Sequence, residues 1–373
     1  MKHIAKIIGV ILFTGLFTLF SCGDDDSTPA STYDIIAGTI TEDNYTGGGT
    51  LTFEYSIDDG TTYSATVPTD LLTGEKVWIR ISDGTNALST DDFEFDWTGS
   101  TVQPADANVA VAEFTFANSD ITINMDISDI IVLVIIQRDN GQVKEVDIST
   151  GATSDLFKFS LNSTDVTDLR SFIYHPVENS FYASTVAGSG GELLKINTDT
   201  RVATIVNDNP NDTWSGMADL AVLSNNNILS TVKNIALDAQ VLLPFNGDGV
   251  EGTLVEFTGT TPTAGMGLVI DGNGDYWIGD YPGELHKSDA AGVISSTVAL
   301  VADASLPSID LTESYPQNLA WGADNVLYGT IFDDTNNVTY IVEIDPTTGD
   351  ISEIADLGAV KHHGLAGVPR HTL

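Results

Sequence analysis

From Tyr33 onward the chain shows no helical period; short apolar runs alternate with polar positions and are cut by Gly, Asn and Asp turns. Between residues 34 and 128 this pattern predicts strands near Asp34–Ile40, Leu51–Ile57, Tyr63–Val67, Lys76–Ile81, Phe93–Trp97, Val109–Phe116 and Ile121–Met125, separated by turns such as Asp58-Asp59-Gly60. Seven short strands without a helix predict an Ig-like β-sandwich, although the Cys-Trp-Cys signature of a true Ig domain is absent. Trp97 and the nearby Phe and Tyr side chains are expected to fill its interior.

After about residue 129 the pattern changes to a repeat. Paired strands at Phe172–Ala183, Leu220–Ser230, Leu268–Gly279 and Leu319–Thr330 place Tyr182, Leu229, Trp277 and Tyr328 at spacings of 47, 48 and 51 residues. Each pair is followed by a strand that ends in a polar turn, as in LLKINTDTR from Leu193 or IVEIDPTTG from Ile341. VKEVDISTG from Val143 has that form but no matching first strand before it, and HGLAGVP from His363 is a first strand with nothing after it. The last strand therefore completes the first unit and closes a ring. A period near 48 with three or four strands per unit is the sign of a β-propeller, here of about five blades. One larger propeller of six or seven blades follows instead if residues 34–128 contribute two degenerate units.

The stretch DGNGDYWIGDYPGELHKSD resembles blades of the NHL, strictosidine-synthase and SMP-30/gluconolactonase-like propellers, and EIDPTTGDISEIADLG resembles the YncE and quinoprotein-like ones. The likeness covers residues 130–373. It implies blade architecture, and because such folds host lactonases, lyases and binding proteins alike, it does not select among them.

The first 22 residues read as a targeting segment. Lys2 and Lys6 precede the apolar run Ile7–Phe20, too short to span a bilayer, and Leu-Phe-Ser-Cys22 resembles the lipobox of bacterial lipoproteins. Asp24, Asp25 and Asp26 resemble the acidic tag of surface-exported lipoproteins in Bacteroidetes-type bacteria. The expectation is an outer-membrane lipoprotein held by a lipid on Cys22 and exposed at the cell surface, with residues 23–33 as an acidic, polar linker. Cys22 is the only cysteine, so no intramolecular disulfide or Cys nucleophile remains.

With 14 Lys and Arg against 53 Asp and Glu, the formal net charge is -39. Such a field repels phosphate backbones and disfavours nucleic acid as a partner. A glycan, a peptide or a surface protein is the expected partner.

Candidate chemistry sits where the first strands of the units line the ring. Aligned on their apolar pairs, these strands bring Ser171, Asp219, Gly267, Asn318 and Gly364 to one level and Arg170, Ala218, Met266, Gln317 and His363 to the next. Arg170, Asp219, Met266, Gln317, Asn318 and His363 are thus the ligand-binding candidates at the channel mouth. The resemblance to SMP-30-like enzymes implies Glu, Asn and Asp around a divalent metal, yet no Glu falls in register here. A non-enzymatic binding module is the first expectation, without a cofactor; a lactonase-like hydrolase or streptogramin-lyase-like enzyme using Asp219, Asn318 and His363 is the alternative. Asp271, Asn273 and Asp275 have the alternate-oxygen spacing of a Ca²⁺ loop but lack its distal acid, and the same residues suit a hairpin turn.

Overall fold

The computed structural model describes residues 31–42, 45–185, 191–210, 212–306 and 309–373. The targeting segment, Cys22 and most of the linker lie outside the described residues. All described regular structure is β apart from one short 3-10 turn at Arg370–Thr372. The chain divides into two compact units, one ending at Ile127 and the other built mainly from Ser128–Leu373.

The first unit contains two three-stranded sheets. One joins Ile35–Glu42, Ile121–Asp129 and Phe93–Asp96, with the first two strands parallel; the other joins Thr52–Ser56, Lys76–Ser82 and Val111–Thr115, all antiparallel. Alternation sends Ala112 and Phe114 inward from one strand and Ile121, Ile123 and Met125 inward from another. Trp97 is fully buried, its ring 6.2 Å from Phe53 and 5.9 Å from Phe114, and its Nε1–H donates to Val109 O at 2.7 Å. The strand expected at Tyr63–Val67 is reduced to one bridge between Ser64 and Tyr55. Side chains explain the loss: Asp58 accepts from Thr62 N, and the Ser64 hydroxyl accepts from Thr66 N, so local turns take the groups that a ladder needs.

The second unit is a ring of five sheets, each with four antiparallel strands; one of them adds the short strand Val301–Ala302 in parallel beside Asp350–Asp356. Blade 1 runs His362–Pro369, Ile131–Gln137, Gln142–Val146 and Thr153–Lys158 from the ring centre outward, so the C-terminal strand closes the first blade. The inner strands of blades 2 to 5 are Leu169–His175, Trp214–Val222, Gly267–Ile270 and Pro316–Trp321. These five strands touch one another in cyclic order. Each four-stranded sheet exposes an apolar face on both sides, and neighbouring blades bury them. Five clusters result, one at each junction, and they include Val134 with Phe172, Leu193 with Trp214, Leu229 with Ile278, Trp277 with Leu327, and Ile341 with Ile135. Because both faces are covered, the second strands Ser180–Thr185, Tyr276–Asp280 and Leu327–Asp333 are buried along their whole length. This is a five-bladed β-propeller. The continuous apolar runs in its sequence report that two-sided burial.

One irregularity repeats around the ring. Pairing of the inner strand with its neighbour slips between Leu169 and Ser171, between Met217 and Leu220, between Pro316 and Asn318, and between His363 and Ala366. In blades 2 and 5 the slip leaves a single unpaired residue, Arg170 and Gln317 respectively. Bulges of this kind re-aim side chains, and here four stand at one level of the channel.

Candidate functional site

At the level of the bulges two buried side chains tie the five blades together. Asp219 Oδ1 accepts from Leu220 N at 3.0 Å and from Asn318 Nδ2 at 3.0 Å; its Oδ2 accepts from Leu268 N at 3.0 Å and Leu319 N at 3.1 Å. Asn318 Nδ2 also donates to Arg170 O at 3.0 Å, while its Oδ1 accepts from Gly364 N at 2.8 Å and Thr330 Oγ1 at 3.3 Å. Every inner strand thus gives a backbone group to this pair. Gly364 can present its N–H only through a left-handed backbone, φ +66°, which its lack of a side chain permits. Burial pushes the Asp219 carboxyl up to about 7, against its four donors, each of which favours the charged form.

This bracket divides the channel. On the side toward which the inner strands run lies a cavity of about 230 Å³ lined by Ile173, Leu220, Val269, Leu319 and Leu365 among others. The opposite side carries the polar residues. Arg170 is partly exposed, and its Nη2 donates to Met266 Sδ at 3.1 Å; no described carboxylate lies within salt-bridge distance of it. Gln317 hydrogen-bonds the Tyr315 side chain, and the Tyr315 phenol interacts electrostatically with Arg170. Tyr315 also meets Tyr281 edge to face at 5.8 Å. His363 is 4% exposed, and neither ring nitrogen has a hydrogen-bond partner among the described residues. Burial first, then the charges of Arg170, Arg138 and Lys361, hold its pKa down at about 3, so the ring is neutral.

The structure therefore brings Arg170, Met266, Gln317 and His363 to one side of the bracket and makes Asp219 and Asn318 the bracket itself. Tyr315 belongs with the first group. Its place in the sequence, an aromatic residue immediately before Pro316 at the start of an inner strand, is the signal that could have found it.

The Asp271 turn is arranged differently. Asp271 Oδ1 accepts from Asn273 N at 2.9 Å and Asp275 N at 3.0 Å, and its Oδ2 accepts from Trp277 Nε1 at 3.2 Å. Asp275 pairs with Lys287 at 2.7 Å. These oxygens close a hairpin turn, and the Asn273 residue is exposed.

One cluster of metal-ligating side chains occurs among the described residues, at Asp280, Glu284 and His286, with ligand atoms within 4.8 Å of one another. Two of its three groups, Asp280 and His286, already have close partners. Asp280 accepts from the backbone N–H of Thr263, Ala264 and Gly265 at 2.7, 2.6 and 2.8 Å, and His286 Nε2 stands 3.1 Å from Asp280 Oδ2 while Nδ1 meets Thr297 Oγ1 at 2.8 Å. These bonds pin the loop that leads into the inner strand of blade 4, and burial opposed by His286 and those three N–H groups leaves the Asp280 pKa below the ordinary carboxylate value. The divalent metal that the gluconolactonase-like resemblance implies would have to be held in the channel by Asp219 and Asn318. Both oxygens of Asp219 are filled by N–H donors and Asn318 has no free oxygen lone pair directed elsewhere, so these residues do not fit a metal.

No protein-family model and no curated protein sequence matches the chain. Among solved structures, the nidogen/laminin complex aligns with 11% identity over 63% of this chain and 97% of that chain, with a TM-score of 0.40. A putative gluconolactonase aligns with 15% identity over 54% and 68%, TM-score 0.37, and TolB from Acinetobacter baumannii with 10% over 86% and 66%, TM-score 0.38.

Proposed function

We propose that the protein is a surface-anchored lipoprotein whose propeller is a binding module for a glycan and works through recognition at the Arg170 side of the channel. One observation carries this reading: the two channel residues best suited to hydrolysis, Asp219 and Asn318, spend their side-chain hydrogen bonds on the ring itself. A general base or a metal ligand needs a free lone pair facing the substrate. What the polar side presents is a set of recognition groups not bound into the bracket: a guanidinium, an amide and a phenol. A sugar surrounded by donors and aromatic rings is bound by such groups without being transformed.

The lipid anchor rests on Cys22 and its Leu-Phe-Ser-Cys context. With the acidic run Asp24–Asp26, it supports a folded body held at the outer face of the outer membrane by the linker of residues 23–33. Two measurements test the proposal. Cys22→Ala should move the protein from the membrane fraction to the soluble one, and retention would overturn the anchor. Screening on a glycan array alongside a lactone panel should give array binding without turnover; turnover with no array binding would replace the module with the enzyme.

A further inference from the structure

We propose that the recess around Arg170 receives the carboxylate of an acidic sugar, an inference that rests on the binding-module reading and specifies its ligand. Arg170 is anomalous in this chain. Nine of the twelve described Lys and Arg residues pair with an Asp or Glu. Of the others, Arg201 lies 4.0 Å over the Phe157 ring and donates to Thr372 O and Leu373 O, and Lys361 lies 4.3 Å over the Phe332 ring. Among the described residues Arg170 has only the Met266 thioether for a side-chain hydrogen-bond acceptor, a weak one. With 53 acidic residues available, a lack of acids does not explain this. A partly buried guanidinium with no carboxylate beside it favours an incoming anion, because the fork of N–H donors matches both carboxylate oxygens.

The surroundings specify the rest of the ligand. The Arg170 backbone is fixed at the bulge, since its carbonyl is held by Asn318. Tyr315 and Tyr281 supply aromatic rings of the kind on which a sugar stacks, and Gln317 supplies an amide for hydroxyls. A peptide is less well served. Strand-like binding needs free main-chain groups, and Leu268 N, Leu319 N, Gly364 N and Arg170 O, which face the channel, are all taken by the bracket.

The test uses the full-length protein in detergent and calorimetric titration with three probes: the methyl glycoside of galacturonic acid, its methyl ester, and an N-acetylated peptide with a free C-terminal carboxylate. The acid should bind and the ester, equal in shape but uncharged, should bind at least tenfold more weakly. Arg170→Gln should abolish the difference, and Arg170→Lys should retain part of it. If acid and ester bind equally, or the peptide binds in preference to the acid, the inference falls. If none of the three binds, it falls as well, and the glycan array then decides the binding-module reading separately. The comparison of acid with ester on the unmodified protein keeps the test independent of how the variants fold.

Discussion

Asn318 Nδ2 and Asp219 Oδ1 meet at 3.0 Å across the centre of the ring, and through their other bonds the two side chains reach every blade. Adjacent blades otherwise cohere through apolar packing, which is strong but undirected. The pair adds direction. It fixes how far each inner strand slides along the channel, and hence the level at which Arg170, Gln317 and His363 stand.

Asp219→Ala should therefore be severely destabilising. It strands Leu268 N–H, Leu319 N–H and the Asn318 amide in a buried site, a loss of about 3–5 kcal/mol. Asn318→Ala should cost a similar amount. Since the two act as a unit, the double variant should lose much less than the sum of the single losses, and urea unfolding of the three variants measures that coupling.

Much of this architecture was legible because burial on both faces of a blade writes continuous apolar runs into the sequence, and their spacing counts the blades. The stray strand from His363 revealed the closure, and the shared apolar pair aligned Asp219 with Asn318. Bulges were not legible: one extra residue at Arg170 or Gln317 changes no hydrophobic pattern. The bonds from Asp219 to Leu268 and Leu319 also escaped, since they depend on distances across the ring that no local pattern encodes. The strand expected at Tyr63–Val67 failed for a related reason, its ladder groups being taken by local side-chain turns.

Ring closure makes the C-terminus indispensable. Removing residues 362–373 takes the inner strand from blade 1 and exposes Val132, Val134 and Ile136, which it covers. A chain ending at Lys361 should lose its cooperative thermal transition. Arg201→Ala, which removes the clasp on Thr372 O and Leu373 O and the stacking on Phe157 but leaves the strand in place, should keep the transition and lower it by about 1–2 kcal/mol of stability.

Asp271→Ala should destabilise by about 1–2 kcal/mol, the scale of losing a side-chain cap on two backbone N–H groups. It also frees Trp277 Nε1, so the tryptophan emission should change. Asp271→Asn keeps an oxygen for the turn and should recover most of the loss. Calcium should leave the unfolding midpoint of the unaltered protein in place; a rise that Asp271→Ala removes would show that the turn binds the ion after all.

His363 gives the stability a defined dependence on pH. Its pKa is held at about 3 in the fold by burial and by the charges of Arg170, Arg138 and Lys361, against an ordinary value of 6.5 in the unfolded chain. Between those values the unfolded chain binds a proton that the folded chain refuses. The contribution is fully present above pH 6.5 and is lost as the pH falls toward 3, at a slope approaching 1.4 kcal/mol per pH unit within that window. His362 is depressed too, chiefly by burial, and adds with the same sign. Asp219, pushed up to about 7 by burial, acts with the opposite sign in the same window, since the fold there holds a proton that the unfolded chain has released. That contribution is common to both proteins, so the test is the difference between them: His363→Leu keeps the volume and removes the titration, and its urea midpoint should rise relative to that of the unaltered protein as the pH falls from 6 to 4. Parallel slopes in the two proteins would mean that the His363 ring takes up its proton in the fold as readily as it does unfolded. Water would then have to reach that ring beside Arg170, and the recess would be wetter than its burial indicates.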